Sequence, residues 1–166
     1  MAKEFFADKV TAYLITERNY RKYFSGVDIA EGYLIASGCP AYFVDARYFL
    51  LAKEKLKNSG IETKLYTDLA DIKNYIKENK IKNLGVDFDN VTVSDFNRYK
   101  TLCSRVFDSS LQLAKIRAVK TESELEFIKK ACEITERAYA LHTPFCMAYA
   151  LSAWHILFKK EWVVCK

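Results

Sequence analysis

"GYLIASGCPAYFVDARYFLLAKEKLKNSG", residues 32–60, decides the fold. Two short apolar runs, Gly32 to Ser37 and Ala41 to Ala46, flank Gly38-Cys39-Pro40. That spacing suits an antiparallel hairpin with a short loop. From Arg47 to Asn58 the pattern turns helical, and Ser59-Gly60 is a natural helix stop. Within the stretch, Asp45 and Arg47 set an acid and a base among apolar neighbours, and charged groups are rarely buried unless paired. The pair falls where the second strand ends and the helix begins. An Asp there can accept from the orphan amides of the helix start, where negative charge is also favoured. Arg47 can then bond Asp45 or lie over the Tyr48 ring.

Outward from the hairpin, further strand patterns occur at Tyr13-Leu14-Ile15, Ile61 to Thr67, Asn83 to Phe88 and Arg105 to Asp108. Helical spacing lies between them. Leu69, Ile72 and Ile76 share one face behind Asp68, a candidate N-cap, and Phe96, Tyr99 and Leu102 repeat the scheme over Ser94 to Cys103. Tyr20, Tyr23 and Phe24 read as core contacts at helical spacing, ended by Gly26. This alternation predicts an α/β fold: a mixed sheet, parallel in its later part, with one antiparallel hairpin and flanking helices. Then Thr121-Glu122-Ser123-Glu124 forms a capping box that opens a long C-terminal helix to about Leu141. Its apolar stripe is Leu125, Ile128, Cys132, Thr135 and Tyr139.

Composition narrows the function classes. The chain has 166 residues, about half of them apolar, enough for one cored domain with an extra piece. Its net charge of +5 comes from basic and acidic residues that alternate, as in Lys53-Glu54-Lys55. That is a solvated surface rather than a nucleic-acid stripe. Five cysteines, none in a C-x-x-C arrangement, fit reduced thiols in the cytosol and read as core residues. No secretory apolar run opens the chain, so a cytoplasmic location is expected.

"NYRKYFSG" (19–26), "GYLIAS" (32–37), "DARY" (45–48), "LGVD" (84–87) and "KIRAVKTESELEFIKKACEITERAY" (115–139) occur in a set order. That order resembles the N-terminal half of Xaa-Pro aminopeptidases and prolidases, the creatinase-like "pita-bread" metallopeptidases. The resemblance implies a ribonuclease H-like creatinase/prolidase N-terminal domain over residues 1–115. It makes 116–141 the first helix of a peptidase domain, with a divergent apolar tail at 142–166. It also implies two divalent metals, manganese or zinc, held in intact relatives by two Asp, one His and two Glu that come after this helix. Proline-containing peptides would be the relatives' substrates. The N-terminal domain of one subunit would help close a neighbour's cleft, with Asp45, Arg47 and Tyr48 as the cleft or interface residues. A homo-oligomer, or a separate catalytic chain, would be the partner.

On this reading the residues for the metal chemistry itself are expected to be absent. After Glu136 come one acid, Glu161, and two histidines, His142 and His155, which read as surface or half-buried side chains. Two hard cations held close together need several carboxylates. We therefore expect no catalytic residue, no metal ligand and no cofactor in this chain. No nucleophile elbow, HExxH, P-loop or dinucleotide fingerprint occurs. The tail "HTPFCMAYALSAWHILFKKEWVVCK" gathers both tryptophans and both histidines where the resemblance stops, which suggests a truncated or out-of-frame gene end. From Ala138 to Phe158 no Asp, Glu, Lys or Arg occurs, a length that can span a bilayer. Pro144, the histidines and the overlap with the capped helix argue against an anchor. The expected function is thus a non-catalytic N-terminal domain serving oligomerisation and substrate gating. The alternatives are a free-standing α/β binding or adaptor module and a peptidase with an unforeseen site.

Overall fold

The computed structural model describes residues 10–140. The chain divides into two compact units, 1–118 and 119–166. The tail at 142–166, with both histidines and most of the 138–158 window, lies outside the described residues.

The first unit is built on six strands: β1 (Thr11–Ile15), β2 (Tyr33–Ala36), β3 (Ala41–Val44), β4 (Glu62–Leu65), β5 (Asn83–Val86) and β6 (Arg105–Asp108). Their order across the sheet is β4-β3-β2-β1-β5-β6. The hairpin β2–β3 is antiparallel, with Leu34 opposite Tyr42, as the Gly38-Cys39-Pro40 loop requires. Ser37 Oγ donates to the Cys39 carbonyl at 2.9 Å and accepts from the Cys39 amide at 3.3 Å, a hydroxyl turn that closes the loop. β1 also runs antiparallel to β2, which the sequence pattern does not show. The pairs β1–β5, β5–β6 and β3–β4 are parallel. The consecutive parallel pairs β3–β4 and β5–β6 are each joined through a helix, as a crossover connection requires, whereas β1 and β5 become neighbours only after the chain has built β2, β3 and β4.

Among the described residues, five α-helices cover the sheet: α1 (Arg18–Ser25), α2 (Ala46–Leu56), α3 (Leu69–Glu78), α4 (Val93–Tyr99) and α5 (Ser110–Ala118). Ile72 and Ile76 of α3, with Tyr99 of α4, bury against Leu14, Ile35, Phe43 and Leu84 on one face. Ala52 and Leu56 of α2, with Leu113 of α5, bury against Ile15, Leu34, Tyr42 and Val44 on the other. Both faces of the sheet are thereby covered, which is why β2 and β3 read as continuous apolar runs. Truncating a fully buried side chain such as Leu14 or Ile72 to Ala costs about 2–5 kcal/mol in such a core. Tyr20 and Phe24 of α1 are half-buried against the second cluster, as their spacing predicts. Gly26 then ends α1 in the left-handed region at φ 74°.

The cysteines depart from expectation. Cys39 is exposed in the hairpin loop, because the loop leaves the sheet there. Cys103 is half-buried, its thiol 3.6 Å from the Ile81 carbonyl.

In the second unit, residues 122–140 are helical through the last described residue; we label this α6. Thr121 Oγ1 accepts from the Glu124 amide at 3.3 Å, and Glu124 accepts from the Thr121 amide at 2.8 Å. These are the two reciprocal bonds of the capping box.

A rim of paired charges at the strand ends

β3 ends at Val44, and Asp45 adopts extended backbone before α2 begins. Asp45 Oδ1 accepts from the amides of Arg47 at 2.9 Å and Tyr48 at 3.3 Å, so it is the N-cap that the sequence suggests. Its Oδ2 accepts from Arg47 Nε at 2.9 Å, and Arg47 Nη2 also bonds that oxygen. Arg47 thus bends back on its own cap, with its guanidinium carbon 5.4 Å from the Tyr48 ring centre. Hydrogen bonding from Arg47 holds the Asp45 carboxyl below its ordinary range, and the same bond raises Arg47. Asp45, Arg47 and Tyr48 therefore meet in one place.

Sequence reasoning missed a fourth member. Arg47 Nη2 bonds Glu31 Oε2 at 3.1 Å. Glu31 sits sixteen positions earlier, in the connection before β2, and no local pattern links the two. The Arg47 and Glu31 side chains are 68% and 74% exposed, against 26% for Asp45. The inner acid caps the helix; the outer pair projects into solvent.

The segment that carries Glu31 is held by a second group the sequence does not flag. Arg21 of α1 is buried, and its guanidinium donates to the carbonyls of Ile29 at 3.2 Å, Ala30 at 2.8 Å and Gly32. Val27 and Ile29 bury in the core, while Asp28 pairs with Arg18 at 2.7 Å and Lys22 at 3.1 Å. Gly32 has φ 148°, and a Cβ there would lie 2.7 Å from the Phe43 carbonyl oxygen. The segment 27–32 is therefore fixed from both sides, with Glu31 at its outer turn.

Behind this rim lies a groove of about 520 Å³, whose walls include Arg18, Arg21, Glu31, Tyr33, Asp45 and Tyr99. It opens at the carboxyl ends of β1, β3 and β4, beside the point where β1 has an antiparallel neighbour on one side and a parallel one on the other. Crevices at such ends are where open α/β sheets take ligands. Tyr33 stands between Tyr66 (ring centres 4.8 Å apart) and Tyr99 (6.4 Å). Burial, then the bond with Tyr33, pushes Tyr66 up to about 12, so the Tyr66 phenol stays neutral.

Among the described residues, no group of three or more His, Cys, Asp or Glu is placed to hold a metal ion. The described donors do not fit a two-metal centre, which needs several carboxylates around the ions.

Comparison with known proteins identifies the frame around this rim. The profile of the Creatinase/Prolidase N-terminal domain matches residues 2–119. The X-Pro aminopeptidase of Thermotoga maritima superposes with a TM-score of 0.70 at 26% identity, over 83% of this chain and 41% of that one. The Xaa-Pro dipeptidase of Bacillus anthracis gives 0.69 at 22% identity, over 83% and 40%. A curated relative in Mycoplasma genitalium, provisionally assigned as an Xaa-Pro aminopeptidase, is 27% identical over 131 residues, 78% of this chain. This chain spans 36% of that relative's length. The chain belongs to the creatinase/prolidase N-terminal domain family.

Proposed function

We propose that this chain serves as the N-terminal, non-catalytic domain of an Xaa-Pro aminopeptidase- or dipeptidase-like hydrolase. Residues 1–115 act as the domain proper, and 116–141 as the first helix of a peptidase domain. The domain presents Arg47 and Tyr48 to the substrate cleft of a neighbouring subunit or separate catalytic chain, where Arg47 meets a carboxylate of a proline-containing peptide. Metal chemistry with manganese or zinc belongs to that catalytic part. The observation that carries the reading is the exposed guanidinium of Arg47, fixed at the end of β3 by a cap, within a family whose named members are Xaa-Pro peptidases. Its work is oligomerisation and substrate gating in a cytoplasmic setting, without nucleic acid or membrane. Among the described residues, no helix is long and apolar enough to cross a bilayer.

Sedimentation of the full chain tests this. Arg47→Ala is expected to keep the fold and weaken self-association or association with a catalytic chain. A variant that loses stability while associating normally would reduce Arg47 to a partner of its cap.

A second reading, a free-standing α/β binding or adaptor module, is favoured by the groove at the strand ends. A protein that stays monomeric, shows no affinity for a catalytic chain and binds a small molecule would support it.

A further inference from the structure

Resting on the proposed role of Arg47, the geometry points to Glu31 as a built-in competitor: a carboxylate of the domain itself that occupies the guanidinium edge a ligand carboxylate would take. We infer that a ligand carboxylate binds Arg47 by displacing Glu31.

The guanidinium has two usable edges. Asp45 takes the side edge, accepting from Nε and Nη2 through one oxygen. That bond also caps α2, so it persists in any liganded state. What remains is the end edge, formed by Nη1 and Nη2, and a carboxylate bound there receives two parallel N–H bonds. Glu31 Oε2 already accepts from Nη2 at 3.1 Å, while Nη1 has no hydrogen-bond partner among the described residues. Half of the ligand edge is therefore filled by the domain and half is open.

Glu31 is not in place by chance rotation of a loose loop. Three carbonyls of its segment are gripped by buried Arg21, and Gly32 beside it allows no side chain. The backbone of Glu31 is fixed and only its side chain is free to swing. That is the mobility a displaceable counterion needs: anchored close enough to compete, exposed enough to leave. Exposed ion pairs of this kind are weak, so displacement lowers apparent affinity modestly. The consequence is selectivity, because a neutral ligand terminus gains too little to evict Glu31.

The test uses the full chain, with ¹⁵N–¹H NMR of the Arg47 Nε–H, identified by its loss in Arg47→Ala. Acetate is the probe and acetamide its uncharged counterpart, at constant ionic strength. In the wild type, acetate is expected to shift the Arg47 signal and acetamide to leave it unmoved. Glu31→Gln is expected to half-saturate at about two- to fivefold lower acetate. This gain on neutralising a carboxylate is one that a merely structural role would not produce. Equal or weaker acetate binding by Glu31→Gln, with the wild type responding, would overturn the competitor role while leaving Arg47 as a carboxylate site. If acetate moves the signal in neither protein, Arg47 does not take carboxylates and both proposals fall.

Discussion

Replacing Gly32 with alanine probes how firmly the segment that carries Glu31 is set. Gly32 has φ 148°, a conformation L-residues adopt at a cost of about 1–3 kcal/mol. The new Cβ would also meet the Phe43 carbonyl oxygen at 2.7 Å and Tyr42 Cε2 at 3.1 Å. Phe43 lies in β3, paired on both sides, so neither atom withdraws easily; forcing that contact adds about 1–3 kcal/mol. Together the loss is about 2–6 kcal/mol. Gly26→Ala is the control, since its φ is 74° but nothing lies within 4 Å of the added Cβ. It should cost about 1–2 kcal/mol from backbone strain alone. Urea unfolding separates the two. With a slope of about 1.5 kcal/mol per molar, a 3 kcal/mol loss moves the midpoint down by about 2 M. A Gly32→Ala variant no less stable than Gly26→Ala would refute the claim that β3 fixes this segment.

Other outcomes follow from the same geometry. Arg21→Met should lower stability by about 2–4 kcal/mol in urea unfolding, because three carbonyls lose a buried charged donor; a loss under about 0.5 kcal/mol would mean water replaces the guanidinium without cost. Arg47 depresses the Asp45 carboxyl, so its contribution is present above the unfolded-state pKa of about 3.9 and is lost as pH falls through the folded value. Asp45→Asn should therefore flatten the acid limb of stability against pH, and an unchanged limb would show the cap is not charge-dependent. Burial raises Tyr66 and Tyr75 to about 12. The stability they lend is full below their unfolded pKa of about 10 and is lost as pH rises through about 12. Absorbance titration should show these phenols ionising after the exposed tyrosines; a single transition near 10 would contradict their burial.

Much of the fold was legible because local patterns and tertiary packing agree. The strands are short apolar runs bounded by Gly, Pro or charged residues, and Gly38-Cys39-Pro40 sets the hairpin without reference to anything distant. The caps at Asp45, Asp68 and Thr121 were readable for the same reason: each bonds amides within three positions. Helix α5 escaped, since Leu111 is exposed while Leu113 is buried and Ile116 half-buried, which leaves no apolar stripe. The antiparallel pairing of β1 with β2 was equally silent, as it depends on how the 27–32 segment turns. At the site, Asp45, Arg47 and Tyr48 are neighbours in sequence and their contacts could be foreseen. Arg21 and Glu31 could not be, because their roles are set by partners eight to sixteen positions away. An arginine on an eight-residue helix reads as solvated until the carbonyls that bury it are in place.

The proposed role has this domain support a peptidase while the chemistry belongs to a separate catalytic part. Hydrolysis of a fluorogenic Xaa-Pro peptide by the purified full chain, supplied with manganese, tests it most directly. We expect no turnover above manganese alone. Turnover that scales with protein, alongside stoichiometric bound manganese, would contradict the account.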